Sequence, residues 1–168
     1  MNLEELYQEH AKRIYHYIYA KCQDSELAQD IVQTTFLKVV SKIDTFQGQC
    51  KLSSWLCQIA KNEYINHCRK YGRQSSLEAF IEEKGECILS DQKEVIDDII
   101  QKDQVKEAKK AIGMLSEPYR EVLRLRLYGE YSFEEIGDMF GQSDTWARVT
   151  FYRAKKKVIQ EMERGGNL

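Results

Sequence analysis

Residues 132–158, SFEEIGDMFGQSDTWARVTFYRAKKKV, contain the pattern that decides the fold. They begin with Ser132 and Glu135 at the S-x-x-E spacing of a capping box, in which each side chain accepts a hydrogen bond from the backbone N–H of the other residue at a helix start. Gly141 suits the left-handed residue that ends a short helix, and Ser143 can cap a longer helix after it. A short helix, a glycine turn and a long basic helix together predict a helix-turn-helix.

The long helix is predicted to have one buried and one basic side. Apolar residues recur on the buried side at helical spacings: Ala147, Phe151, Ala154 and Val158. The other side is a candidate for DNA contact and consists of Arg148, Val149, Tyr152, Arg153 and Lys156. Arginine near the start of such a helix can reach a guanine edge in the major groove, whereas cations further along are placed for phosphates. A solvated basic face is the simpler interpretation, but the capping box, the turn and the basic helix together favour DNA binding.

Upstream of this stretch the apolar residues also recur every three to four positions, and one proline and nine glycines in 168 residues leave few helix breaks. The whole chain is therefore predicted to be all-α. Residues 4–22 and 25–43 predict an antiparallel helix pair, and residues 53–71 resume the helical period after a polar stretch around Gly48. Serines at helix starts are the other predicted N-caps: Ser25, Ser53 or Ser54, and Ser116.

Charge divides the chain, although the formal net charge is only -2. Residues 51–73 contain five basic and one acidic residue, whereas residues 77–108 contain ten acidic residues and four lysines. We therefore expect two small helical domains, 1–73 and 95–168, joined by a flexible acidic linker at 74–94. The acidic side chains are by default those of a solvated segment.

Several classes of protein are excluded by what the sequence lacks. The five cysteines form no CxxC pair and there are only three histidines, so we expect reduced thiols and no metal site. The sequence has no GxSxG, HExxH or glycine-rich phosphate loop, so we expect neither an enzyme nor a cofactor. No apolar run approaches the roughly 18 residues of a membrane span, and the acidic start is unlike a secretory signal. These features predict a cytoplasmic protein without membrane insertion.

Three segments resemble the group 4, or extracytoplasmic-function, branch of bacterial sigma-70 transcription initiation factors. AQDIVQTTFLKV (28–39) resembles the helix of sigma region 2.2, and KLSSWLCQIAKNEYINHCRK (51–70) matches the W-L-x-x-I-A-x-N pattern of regions 2.3 and 2.4. Residues 115–158 resemble the helix-turn-helix of region 4. Some positions depart from the family pattern: Gln29 and Thr34 replace acids, and Trp146, Val149 and Thr150 replace Thr, Ser and Arg.

The resemblance implies an alternative sigma factor that binds core RNA polymerase, directs it to promoters and helps to open the DNA. It implies a region 2 helical bundle and a region 4 helix-turn-helix, the latter reading the minus-35 duplex through the residues named above. The implied polymerase contacts are Asp30, Gln33 and Thr34. The implied contacts with the single-stranded minus-ten element are Gln47, Gln49, Lys51, Leu52, Ser53, Lys61, Asn62, Asn66, Arg69 and Arg73. Trp55 is expected in the core, and an anti-sigma factor is an expected further partner.

Two alternatives remain open from the residues alone. The first is an ordinary helix-turn-helix regulator that binds an operator as a dimer, which leaves the Trp55 segment unused. The second is a helical adaptor that binds only protein, whose basic helices are solvated faces. A dimeric operator footprint without polymerase would favour the first, and an absence of DNA affinity would favour the second.

Overall fold

The computed structural model describes residues 2–71 and 102–166, and within these ranges every regular element is a helix. The α-helices are α1 (Leu3–Cys22), α2 (Ser25–Lys42), α3 (Leu52–Tyr71), α4 (Lys102–Met114), α5 (Tyr119–Leu127), α6 (Phe133–Phe140) and α7 (Asp144–Gly166). A 3-10 turn, Ile43–Thr45, follows α2. The predicted all-α class with two helical units, α1–α3 and α4–α7, is confirmed. The predicted linker at 74–94 lies outside the described residues.

The first unit is built on the predicted antiparallel pair of α1 and α2. The ring of Tyr7, near the start of α1, lies 5.0 Å from that of Phe36, near the end of α2, whereas Tyr15 donates a hydrogen bond to Ser25 at the start of α2. Helix α3 packs against both helices. Trp55, which is predicted to lie in the core, is half-buried beside Phe46, with 5.1 Å between ring centroids, and packs against the edge of the core.

The second unit packs α4, α5 and α6 around the long helix α7. The predicted stripe of α7 faces this core, because Ala147 and Ala154 are fully buried and Phe151 is 5% exposed, while Val158 is partly buried. Ile136 of α6 is likewise fully buried. This packing fixes which side of α7 faces solvent.

The helix-turn-helix begins and ends as its sequence predicts. Ser132 and Glu135 form the reciprocal capping box, and Gly141 has a φ of 64° in the left-handed region. The hydroxyl oxygen of Ser143 accepts a hydrogen bond of 3.0 Å from the backbone N–H of Trp146. The capping predictions at these positions are therefore confirmed.

The other predicted caps are wrong. Asp24 caps α2 instead of Ser25, and its carboxylate is the stronger acceptor because it carries a charge. Ser53 and Ser54 lie inside α3, where both hydroxyls bond to α6. Helix α5 begins after Pro118, and the carboxylate of Glu117, not the hydroxyl of Ser116, accepts a hydrogen bond from its first turn, at the backbone N–H of Glu121.

The two units pack directly against each other. Helix α3 lies against α6, and α1 lies against α5. Buried side chains from both units form one continuous apolar cluster. Several polar side chains cross this contact, and they include residues with predicted roles in DNA binding.

Candidate nucleic-acid interface

A close approach between α6 and the turn after it sets the direction of α7. A methyl group added to Gly137 would lie 2.7 Å from the carbonyl oxygen of Gln142 and 2.8 Å from that of Ser143. The backbone N–H of Gln142 also donates a hydrogen bond of 2.8 Å to the carbonyl of Gly137. Glycine at this position lets the turn lie directly on α6.

The predicted minus-35 residues are brought together on one side of α7. Five side chains are exposed there: Arg148, Val149, Tyr152, Arg153 and Lys156. The neighbouring Thr150 is 6% exposed, and Trp146 is half-buried with its ring 5.2 Å from that of Phe140. The guanidinium of Arg148 lies 5.5 Å from the ring centroid of Phe133, which holds it at the edge of this side.

Some of the predicted minus-ten residues are exposed on the first unit, whereas others are bound by side chains of the second unit. Asn62, Asn66 and Arg69 are exposed on α3 at spacings of four and three, which places them on one stripe. Gln47 and Gln49 are exposed in the segment before α3. Leu52 is half-buried. The last predicted residue, Arg73, lies outside the described residues.

Two of these bound residues, the exposed Lys51 and the buried Ser53, interact with carboxylates of α6. The backbone N–H of Lys51 donates a 3.1 Å hydrogen bond to Asp138, and its ammonium lies 3.0 Å from the carboxylate of Glu134. That hydrogen-bonded pair raises the pKa of Lys51. Ser53 donates to the carboxylate of Glu135. The start of α3 is therefore occupied by the second unit.

Glu135 joins the two units through several donors. Arg13 of α1 donates to its carboxylate at 2.8 Å, and the backbone N–H of Ser132 donates at 2.7 Å. Burial acts to raise the pKa of Glu135, but the hydrogen bonds from Arg13, Ser53 and Ser132 outweigh burial and hold the pKa below its ordinary value. The same arginine lies over the ring of Tyr131, 4.2 Å from its centroid.

Glu121 of α5 is a second carboxylate that joins the two units, and it is only 3% exposed. Tyr17 donates a hydrogen bond to it, Lys21 lies 3.1 Å away, and Lys61 lies 3.7 Å away. Burial acts to raise the pKa of Glu121, but Lys21, the Tyr17 hydrogen bond and Lys61 lower it below the ordinary value. Lys61, a predicted minus-ten residue, also lies 5.5 Å from the ring centroid of Phe140. The second unit therefore holds this lysine as well.

Comparison with known proteins identifies both units. The family model for sigma-70 region 2 matches residues 6–74, and that for sigma-70 region 4 matches residues 106–158. The chain is 26% identical to the RNA polymerase sigma factor YlaC of Bacillus subtilis over 96% of this chain and 92% of that protein. It is 25% identical to the extracytoplasmic-function (ECF) sigma factor SigM of the same organism over 99% of each chain.

The chain belongs to the extracytoplasmic-function group of the sigma-70 family. A solved structure of the sigma factor RpoE from Bartonella quintana, in complex with the anti-sigma factor NepR, has the same fold. Its TM-score is 0.64 at 25% identity, with 95% of this sigma-70 chain and 96% of that chain covered.

In this sigma-70 chain, α2 contains the segment whose sequence resembles region 2.2, and it lies inside the region 2 match. Asp30 and Gln33 are exposed there, and Thr34 is half-buried. Leu37 follows at helical spacing on the same side and is 72% exposed. The predicted polymerase contacts thus share one accessible helix face, and their role stays a prediction.

The sequence does not predict which side chains bind regions 2 and 4 to each other. The structure shows that they include Arg13, Lys21, Glu121 and Glu135. A signal existed for Glu121, because it lies among buried residues of α5 and is spaced four residues from Leu125. A carboxylate on the apolar side of a helix indicates a buried partner. Glu135 was assigned only to the capping box, although its carboxylate also binds Arg13 and Ser53.

Two of the described thiols of this sigma-70 chain, Cys22 and Cys57, are buried. Burial raises the pKa of Cys22 to about 11 and that of Cys57 to about 12, which keeps both thiols protonated and unreactive near neutral pH. In the described ranges, four cysteines are free and no group of side chains is arranged to hold a metal ion. None of the helices in those ranges is long and apolar enough to cross a membrane.

Proposed function

We propose that this protein is an alternative sigma factor that binds core RNA polymerase and directs promoter-specific transcription initiation. One observation carries the proposal: sigma-70 regions 2 and 4 occur in this order on one chain. The exposed basic side of α7 and the polar stripe of α3 support it. We assign region 2 to residues 1–73 and region 4 to residues 95–168, with the linker at 74–94 between them.

Region 4 binds the minus-35 element as duplex DNA in this proposal. The turn held against Gly137 presents α7 with its buried stripe inward, so its exposed side can enter the major groove. Arg148, near the start of the helix, reads a base edge. Lys156, two turns further on, neutralises a phosphate.

Region 2 binds the minus-ten element as a single strand. Extruding a base from duplex DNA costs a few kcal/mol, and polar contacts from Gln47, Gln49 and the start of α3 would recover this cost. The stripe of Asn62, Asn66 and Arg69 continues along α3 in the direction that a bound strand would follow.

Region 2.2 binds the polymerase core through Asp30, Gln33 and Thr34. The polymerase supplies the catalytic centre, so the protein acts as a specificity subunit in the cytoplasm and catalyses no reaction itself. Sequence similarity to sigma factors along nearly the whole chain supports this assignment.

Promoter binding requires the two units to separate. Three predicted minus-ten residues, Lys51, Ser53 and Lys61, are bound to carboxylates of region 4. A DNA strand on α3 would need the same donors. Polymerase binding therefore has to break these contacts before the minus-ten strand can bind.

We further propose control by an anti-sigma factor. The RpoE structure that this chain resembles was solved with its anti-sigma factor NepR. A protein of that kind would bind both units and prevent their separation. Recovery of polymerase subunits alone in a pull-down from the native cell would count against this partner.

The test adds the purified chain to sigma-free bacterial core polymerase, transcribes a genomic fragment library and maps the 5′ ends. New starts with shared upstream elements at minus-ten and minus-35 spacing support the proposal. Core polymerase alone and core with an Asp30→Ala variant are the controls. An absence of core binding and of new starts would favour the operator-binding regulator instead.

A further inference from the structure

The exposed side of α7 has two large apolar side chains with three cations around them. Val149 is 41% exposed and Tyr152 is 58% exposed. Spacings of four, three and four align them with Thr145 before them and Lys156 after them. Arg148 lies on one flank of this line and Arg153 on the other. The two middle residues of this line, Val149 and Tyr152, therefore present large apolar surface on the helix side that would face DNA.

The packing of α7 leaves Val149 no buried alternative. Ala147, Phe151 and Ala154 are held in the core on the opposite side, so the helix cannot rotate to cover Val149. Thr150, the next residue, is itself buried at 6% exposure. Val149 is therefore a surface residue and does not contribute to the core.

The surrounding charge favours DNA as the occupant of this surface. Among the described residues, Arg148, Arg153 and Lys156 form no ion pair with a carboxylate, and all three are exposed. An apolar centre with unpaired cations around it matches a groove that is lined by phosphates.

In the major groove, a valine side chain can make a favourable contact with only one group of a base pair. Base edges there present hydrogen-bond donors and acceptors, and the one apolar group is the 5-methyl group of thymine. We propose that Val149, with Tyr152 beside it, contacts a thymine methyl group in the minus-35 element and so selects an A·T pair at that position. This inference rests on the proposed function, and it assigns a specificity that the family pattern, with Ser at this position, does not contain.

The test uses holoenzyme reconstituted from core polymerase and the full chain on a promoter mapped by the transcription experiment. Each thymine of the minus-35 element is replaced in turn by deoxyuridine, which removes only the methyl group. At one position we expect promoter binding to be about fourfold weaker, because the burial of about one methyl group is lost. The Val149→Ala holoenzyme should show a smaller difference in affinity between the thymine and uracil promoters at that position.

Ile159→Ala provides the matched control, because Ile159 is 37% exposed on the same helix beyond the DNA-reading residues. It should keep the wild-type preference for thymine. The inference would be overturned if the mapped minus-35 element lacks an A·T pair, or if replacing each of its thymines by uracil leaves the affinity unchanged. Either result would leave the proposed function standing. A uracil effect of the same size in Val149→Ala would also overturn it. An absence of new starts would overturn the proposed function, and this inference with it.

Discussion

Glu121 is a carboxylate buried almost completely between the two units, and its charge is balanced mainly by Lys21. The side chain of Lys21 is itself only 13% exposed. Glu121→Gln removes the negative charge and leaves this lysine buried without its partner. We expect the free energy of unfolding to fall by about 3 kcal/mol, as when one member of a buried pair is removed. Urea titration of the full chain measures it, with the Lys21→Met/Glu121→Gln double variant as control. If the free-energy losses of Lys21→Met and Glu121→Gln simply add in the double variant, the two residues are not coupled.

Acid should weaken the same contacts. The pKa values of Glu121 and Glu135 both lie below the ordinary value of 4.5. A carboxylate with a lowered folded-state pKa stabilises the fold above 4.5, and this contribution is lost as the pH falls through the lowered pKa. We expect the melting temperature to drop on acidification below pH 4.5, and to drop less in Glu121→Gln than in the wild type. Parallel curves for the two proteins would exclude Glu121 as a source of the pH dependence.

The proposed function gives Arg148 and Lys156 different roles on one helix, base reading and phosphate binding. Arg148→Ala should lose about 1 to 3 kcal/mol of discrimination at one minus-35 position. Lys156→Ala should weaken binding evenly across sequences and reduce the salt dependence by about one phosphate contact. Holoenzyme binding to a promoter and to its single-base variants at several salt concentrations distinguishes the two. Equal, sequence-independent losses would remove Arg148 from a base-reading role.

Helix boundaries were predictable where the signal is local. The capping box at Ser132, the left-handed Gly141 and the Ser143 cap involve residues within a few positions of one another, so their geometry follows from the sequence. The caps predicted at Ser25 and Ser53 failed because a neighbour or a distant element decided the outcome. Asp24 supplied a charged acceptor one residue earlier, and Glu135 of the other unit bound Ser53.

The turn between α6 and α7 offers a test of how tightly the helix-turn-helix is held. Gly137→Ala places a methyl group within 3 Å of two backbone carbonyl oxygens of the turn, which must then move. Alanine gains up to about 1 kcal/mol of helix propensity, but overpacking typically costs about 1 to 3 kcal/mol. We expect a net loss of stability and weaker minus-35 binding, measured by thermal unfolding and promoter binding. Gly165→Ala, on α7 where a methyl group meets nothing, is the control. A more stable Gly137→Ala protein would contradict the close approach.

The arrangement of the two units was beyond what the sequence predicts. Its key contacts join residues far apart in the chain, such as Arg13 with Glu135, 122 positions later, and Tyr17 with Glu121, 104 positions later. Charge counts located the basic surface of α3 without indicating that region 4 carboxylates bind part of it. Under the proposed function, the same cations bind carboxylates within the chain and would bind phosphates in DNA. Only three-dimensional packing reveals this competition.

That competition predicts that removing an acid from α6 will favour DNA. Glu134→Gln frees the ammonium of Lys51 and leaves the buried contacts of Glu121 and Glu135 in place. We expect the full chain, without polymerase, to bind a labelled single-stranded minus-ten oligonucleotide about threefold more tightly than the wild type, as for loss of a competing surface ion pair. Fluorescence anisotropy measures the affinity. Any lost acid also reduces general repulsion of DNA, so Glu163→Gln, an exposed acid on α7, is the control. If both variants gain equally, long-range charge explains the effect, and Lys51 is not held away from DNA by region 4.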